Sequence, residues 1–344
     1  MALRTGQPAP AIARRDRPTG CGRMDGADLA RRPSGFVPIA GEGTIQRAQG
    51  GGPFTSRVVW ELPGGNRATW ESRPARKRGA IEIRTLRDRP PTAVRPPPSI
   101  ARRLRRVNWV AAGAFTVGGS LFALGAAVAQ LGSGNPTTSA SIYFAGGIFF
   151  TSGAYASLLG AINAPRSLGA DGVPTATRWR WWTYEPRRID WLSTFVLLAG
   201  TLAFAVSLVN AFLKGLSTQQ ENRLIWSPEM IGCILFLVSG HFAMTEVCHR
   251  FRPCLRRRDL GWGIVAVNQV GSILFMVSAL AAFIRPVTGS AVNIAVANWG
   301  TLTGAICFAI GGVMQAFETP AGTGPTQQPP ISPKRGDGHG TNPP

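Results

Sequence analysis

The chain reads as an all-α integral membrane protein, with six transmembrane helices arranged as three tandem hairpins between disordered N- and C-terminal tails. Three observations predict this. Six segments are long and apolar enough to cross a hydrocarbon core, which takes about 20 residues. Arginine clusters flank those segments on alternate loops only. One residue pattern recurs at the start of the first, third and fifth segments.

The first of three regions, residues 1–100, is a basic tail rich in Arg, Pro and Gly. No signal peptide is visible, because residues 1–23 lack a continuous apolar stretch, and Met24 is an alternative start. Gly50, Gly51 and Gly52 read as flexible low-complexity sequence. Residues 57–72 carry a hairpin signal: two short β-prone runs flank Pro63–Gly64–Gly65–Asn66, and Trp60 and Trp70 can face each other across them. Such a hairpin is marginal alone. Arg76, Lys77 and Arg78 follow, and basic residues beside a membrane face attract anionic lipid head groups. The tail has few stacking aromatics and no recognition motif, so nucleic acid is not expected as a partner.

The second region, residues 101–318, holds the spans, predicted at 107–131, 142–162, 189–213, 229–247, 261–284 and 294–317. Lipid offers the backbone no hydrogen-bond partner, so these runs must be helical. Arg102, Arg103, Arg105 and Arg106 precede the first span. Arg166, Arg178, Arg180, Arg187 and Arg188 follow the second, and Arg250, Arg252, Arg256, Arg257 and Arg258 follow the fourth. The opposite loops hold only Lys214, Arg223 and Arg285. This distribution predicts a multi-pass protein of the plasma membrane with both termini cytoplasmic. In the loop Arg178–Trp179–Arg180–Trp181–Trp182, cations alternate with indoles, as suits a membrane interface. The third region, residues 319–344, is a second Pro/Gly-rich tail.

The recurring pattern reads Arg105–Trp109–Gly118–Phe122, Arg187–Trp191–Gly200–Phe204 and Arg258–Trp262–Gly271–Phe275, each followed three positions on by a small residue, Gly125, Ser207 or Ser278. Gly, Phe and the small residue fall at relative positions 0, 4 and 7, one stripe of a helix. Small residues on a stripe let another helix approach closely. The second, fourth and sixth spans share Phe149–Ser152–Gly153, Phe236–Ser239–Gly240 and Phe308–Gly311–Gly312, and Gly300 and Gly304 add a GxxxG. Three parallel tandem hairpins, arisen by duplication, account for the two patterns.

Val270–Gly271–Ser272–Ile273–Leu274–Phe275, with Asn298–Trp299–Gly300 and the run from Phe308 to Gln315, resembles the two-helix YrhK-like domain of bacterial membrane proteins. The resemblance is best over residues 260–318. The earlier hairpins lack the Gln and the second Trp. It implies a helical hairpin and brings no activity with it.

Polar residues inside spans are costly and often functional. His241 and Glu246 lie in span four and Asn268 and Gln269 in span five, while Asn108, Asp190, Gln315 and Glu318 sit at span ends. His241, Glu246 and Asn268 are the candidate lining of a transport path. The structural alternative pairs Glu246, Asp190 and Glu318 with nearby arginines. His241, Cys248, His249 and Cys254 cluster in sequence but lack any CxxC or HExxH spacing, so no metal is expected. The five cysteines, Cys21, Cys233, Cys248, Cys254 and Cys307, are odd in number and scattered, which predicts no disulfide framework. No nucleophile elbow, paired carboxylates or phosphate loop is present, so neither an enzyme nor a cofactor is expected.

These readings lead to a non-enzymatic membrane protein acting through helix packing, in a homo-oligomer or with a membrane-protein partner, at Gly118, Gly125, Gly153, Gly200, Ser207, Gly240, Gly271, Ser278 and Gly312. The alternative is a small-solute or ion transporter. A membrane-bound enzyme ranks last.

Overall fold

The computed structural model describes residues 24–25, 39–40, 43–62, 65–79, 81–84, 92–94, 97–132, 135–168 and 178–318. The tail expected at 319–344 lies outside them. The protein is mostly helical, and six long apolar helices are able to span a membrane. They are α2 (Pro98–Leu131), α3 (Pro136–Ile162), α4 (Ile189–Asn210), α5 (Ser227–Cys248), α6 (Leu260–Ala282) and α7 (Ile294–Phe317). A helical turn, Thr218–Glu221, and a π-helical turn, Asn222–Trp226, run directly into α5. Helices α2 and α3 begin well before their apolar runs, because each has a proline at its first position, where a missing N–H costs nothing.

Each helix packs on its two chain neighbours, and α2 packs on α7, so the six close into a ring in chain order. The outward faces carry Val110, Leu124, Ile148, Val206, Ile234, Ile273 and Ile310, all exposed, and the inward faces carry Gly, Ala and Phe. Apolar surface outside and small residues inside is the arrangement a bilayer favours.

Within every hairpin two glycines meet. A Cβ on Gly118 would stand 3.1 Å from the Gly146 carbonyl oxygen, one on Gly232 3.1 Å from that of Gly200, and one on Gly271 2.9 Å from that of Gly304. The phenylalanine four residues beyond each glycine lies over the opposite glycine: Phe122 over Gly146, Phe150 over Gly118, Phe204 over Gly232, Phe236 over Gly200, Phe275 over Gly304 and Phe308 over Gly271. The six rings gather on the ring axis, with centroids 5.3 Å apart for Phe275 and Phe308 and 5.5 Å for Phe150 and Phe308. The expected register of the first hairpin therefore needs correction. Phe150 is buried in this cluster, whereas Phe149 is 41% exposed on the outer face. Two adjacent phenylalanines left the choice open, and the four-residue spacing from Gly146 decides it.

The expectation that residues 1–100 form a tail with one hairpin also needs correction. The strands are β1 (Met24–Asp25), β2 (Ile39–Ala40), β3 (Thr44–Gln49), β4 (Arg57–Glu61), β5 (Arg67–Glu71), β6 (Ile81–Arg84), β7 (Thr92–Val94) and β8 (Ser167–Leu168). Six of them form an antiparallel sheet in the order β1-β3-β4-β5-β6-β7, and β2 pairs with β8. The expected hairpin is β4–β5. Trp60 pairs with Ala68 and Trp70 with Val58, so the two indoles are diagonal neighbours on one face. Both are buried with Val58, Ala68, Ala75 and Ile81 in a core of their own. Added strands and this core supply what a lone hairpin lacks. The Gly50–Gly52 turn is packed rather than loose: a Cβ on Gly51 would lie 2.4 Å from Thr245 Cγ2, at the end of α5.

Candidate functional site

Between β5 and β6 lies a short helix, α1 (Ser72–Arg78). Pro74 is tolerated in its first turn, and Gly79 ends it in the left-handed conformation at φ 64°, with its N–H on the Ala75 carbonyl. Arg73, Arg76 and Lys77 sit at positions i, i+3 and i+4 and share one face. All three are buried, each at most 8% exposed, because this face plugs one end of the ring.

Two of the cations meet carboxylates from the ring. Arg76 donates from Nε and Nη2 to both oxygens of Glu246, at 3.2 and 2.8 Å, and Ser72 Oγ adds a bond of 2.8 Å to Oε1. Arg73 donates in the same two-pronged way to Glu318, at 2.6 and 2.8 Å. Gly261 makes room for that pair, since a Cβ there would stand 2.9 Å from Arg73 Nε. Lys77 Nζ donates to Asn108 Oδ1 at 2.8 Å, and Gln315 Nε2 donates to the same oxygen at 3.2 Å. Burial opposes ionisation of Glu318, but the Arg73 guanidinium and its hydrogen bonds outweigh it and hold the carboxyl below its ordinary range. Burial, with Arg76 beside it, pushes Lys77 well below the usual lysine range.

Beneath the plug is a vestibule of about 90 Å³ on the ring axis. All six membrane helices line it. Ser157, Ser193, Ser239, Asn268, Ser272 and Gln315 place polar groups in walls that also carry Leu197, Ala243, Ile264 and Val265, Arg73, Arg76 and Lys77 form its roof, and Phe115, Phe236 and Phe308 form its floor. Many wall hydroxyls are already engaged: Ser193 and Ser239 donate to each other's carbonyls, and Ser272 donates to that of Asn268. Asn268 Oδ1 has no hydrogen-bond partner among the described residues. Below the floor, the void among the phenylalanines is only about 10 Å³ and wholly apolar, so it excludes a hydrated solute.

The sequence candidates separate here. Asn268 lines the vestibule. Glu246 is at its roof, held by α1 rather than by the arginines flanking the spans. His241 is exposed on the outer face, its ring stacked on Phe251 with centroids 6.2 Å apart, and so lies outside the vestibule. Five residues of helix rotate His241 well away from Glu246, which accounts for that correction. Gly118, Gly125, Gly153, Gly200, Gly240, Gly271 and Gly312 all meet atoms of this same chain. Ser207 is buried, and Ser278 donates to the Ala297 carbonyl. The small-residue stripes are thus used inside the ring.

A sequence reading that treats Arg76–Lys77–Arg78 as a lipid-facing run misses α1. The signal was the i, i+3, i+4 spacing of Arg73, Arg76 and Lys77 ahead of Gly79.

At the sheet-bearing end, Cys248 and Cys254 form a disulfide, against expectation. Cys254 follows the left-handed turn at His249, which brings two cysteines six residues apart into contact. Among the described residues no group of three or more His, Cys, Asp or Glu is placed to hold a metal. His249 Nδ1 lies 2.8 Å from Ser56 Oγ, and Trp70 Nε1 donates to the Pro165 carbonyl, so sheet and ring are joined at several points. Glu185 bridges Arg166 and Arg188, and Arg188 also holds Asp190. Trp181, Trp182 and Tyr184 are exposed beside that bridge, and Arg103 lies 5.9 Å over Trp179.

No family model, no curated protein and no solved structure matches the chain.

Proposed function

We propose that the chain is a non-enzymatic, multi-pass protein of the cytoplasmic membrane that carries a small polar solute along the axis of its helix ring. The observation that supports this is the vestibule on the ring axis, lined by all six membrane helices, with the cations of α1 as its roof and phenylalanines as its floor. Such a chamber is what a carrier presents between openings, with a hydrophobic constriction on one side acting as a gate. Helix packing as the whole function accounts for the Gly–Phe contacts. It leaves unexplained Asn268, whose buried amide oxygen lacks a partner among the described residues and so costs free energy.

In this reading the sheet-bearing end faces the cytoplasm, following the arginine distribution. The sheet domain serves as a lid, with α1 as its plug. Arg103, Arg178, Arg180 and the exposed indoles of Trp181 and Trp182 rest against anionic lipid head groups. The threefold recurrence of paired glycines and phenylalanines fits duplication of one hairpin, and the YrhK-like resemblance of residues 260–318 belongs to the same proposal.

Flux of ions and small neutral solutes into proteoliposomes tests the reading. Uptake above empty vesicles, raised further by Phe236→Ala in the floor, is expected. Uptake equal to that of empty vesicles across the panel, in wild type and variant, contradicts it.

A further inference from the structure

The roof of the vestibule is unbalanced in charge. Fourteen residues beyond the contact glycines Gly146, Gly232 and Gly304, helices α3, α5 and α7 reach the sheet-bearing end at Gly160, Glu246 and Glu318. Three matching positions therefore offer two carboxylates. α1 brings three cations to them. Arg76 takes Glu246 and Arg73 takes Glu318. Lys77 lies on the side of Asn108 and Gly160, where no carboxylate among the described residues pairs with it. With Lys77 protonated, three positive charges less two negative ones leave one positive charge.

Lys77 is 6% exposed, and its ammonium has three hydrogens to donate. Only Asn108 Oδ1 accepts one of them among the described residues. Its remaining hydrogens border the same cavity as the amide of Asn268, which can turn its NH₂ inward. A single water needs about 10–15 Å³ of such space, so about 90 Å³ admits several waters or one small ion. A cation finds no free carboxylate there, since Glu246 and Glu318 are both engaged.

We propose that the vestibule binds one small monovalent anion, of the size of a halide, nitrate or formate, with Lys77 as its counter-charge. The inference rests on the solute-carrying reading and names its substrate class. One excess charge and the small volume both favour a monovalent ion over phosphate or sulfate. Burial and the neighbouring Arg76 disfavour the ammonium form of Lys77 when the site is empty. An anion in contact favours it, so binding draws in a proton wherever Lys77 starts neutral.

The test uses full-length protein in nanodiscs of zwitterionic lipid, with gluconate as the background anion and radioactive chloride as the probe. Saturable binding near one chloride per chain is expected, displaced by bromide and nitrate but not by gluconate. Lys77→Met should weaken it tenfold or more. Asn108→Asp, which keeps the shape of the roof but neutralises its excess charge, should do the same and covers the case in which Lys77→Met fails to fold. Absence of saturable chloride binding, or binding to Asn108→Asp at wild-type strength, overturns the inference. If chloride does not bind but neutral solutes still cross proteoliposomes, only the anion class is lost. If neither is seen, the carrier reading falls with it.

Discussion

Arg76 and Glu246, 170 positions apart in the chain, share a two-pronged ion pair that is almost wholly buried where the sheet domain enters the membrane ring. With Arg73–Glu318 it fixes α1 on the ring axis. Removing one member of such a pair leaves a buried charge without a partner, at a cost of about 3–5 kcal/mol. Glu246→Gln is therefore expected to lower the melting temperature in mild detergent and to expose residues 43–94 to protease. Glu246→Leu combined with Arg76→Met leaves no orphan charge and should recover most of that loss. A melting temperature unchanged in Glu246→Gln would show that the plug is held by other contacts.

The glycine contacts make a second prediction. Gly271→Val places a side chain 2.9 Å from the Gly304 carbonyl, a backbone atom that cannot swing aside. Overpacking of this kind costs about 1–3 kcal/mol. Gly113 has open space around its Cβ position, so Gly113→Ala should change stability by less than about 1 kcal/mol. Thermal unfolding of the two variants, measured side by side, checks the contrast.

Acid should loosen the sheet–ring junction in two stages. Burial, then Arg256 and Arg57, push His249 from its ordinary 6.5 down to about 4, against the weaker opposing pull of Glu246 and Asp259. The unfolded chain thus takes up a proton first, and stability falls as pH drops from about 6.5 to about 4. Glu318 and Glu185 are held below their ordinary range by Arg73 and by Arg188 with Arg166, in each case against burial. Their contribution is complete above about 4.5 and is lost only at lower pH. His249→Asn tolerates the left-handed backbone at φ 54° and removes the first stage, so its melting temperature should stay flatter between pH 7 and 5. An identical slope in wild type and variant would count against His249.

The disulfide bears on orientation. Cys248–Cys254 lies at the arginine-rich end, which the proposed topology places in the cytoplasm, where glutathione keeps thiols reduced. Rapid acid quenching and alkylation of intact cells should then find both thiols reduced, with the bond forming on purification in air. A bond already present in cells would reverse the orientation.

The six helices were legible because a bilayer demands long apolar runs, and the Gly–Phe spacing was legible in the first, third and fifth of them, whereas their closure into a ring was not. Within it, Asn268 was legible as an unusual polar residue in span five, whereas His241, equally unusual in sequence, faces outward. The plug was not legible. The ion pairs of α1 join residues 170 and 245 positions apart, and nothing local to Arg73 or Arg76 names Glu318 or Glu246 as partners. The sheet was obscured by its short strands, two to six residues long and separated by segments containing Pro and Gly, whose core is assembled only when several of them pair.

Thiol access to the vestibule tests the central claim most directly. Ser272 is buried on the vestibule wall, and Ser272→Cys, with the other free cysteines replaced, reports whether small reagents reach the axis from the sheet-bearing end. Slow modification with the plug intact, accelerated at least tenfold when Glu246→Gln is added, is the predicted result. Equal rates with and without Glu246→Gln would contradict a lid held by Arg76 and Glu246 over a solute chamber.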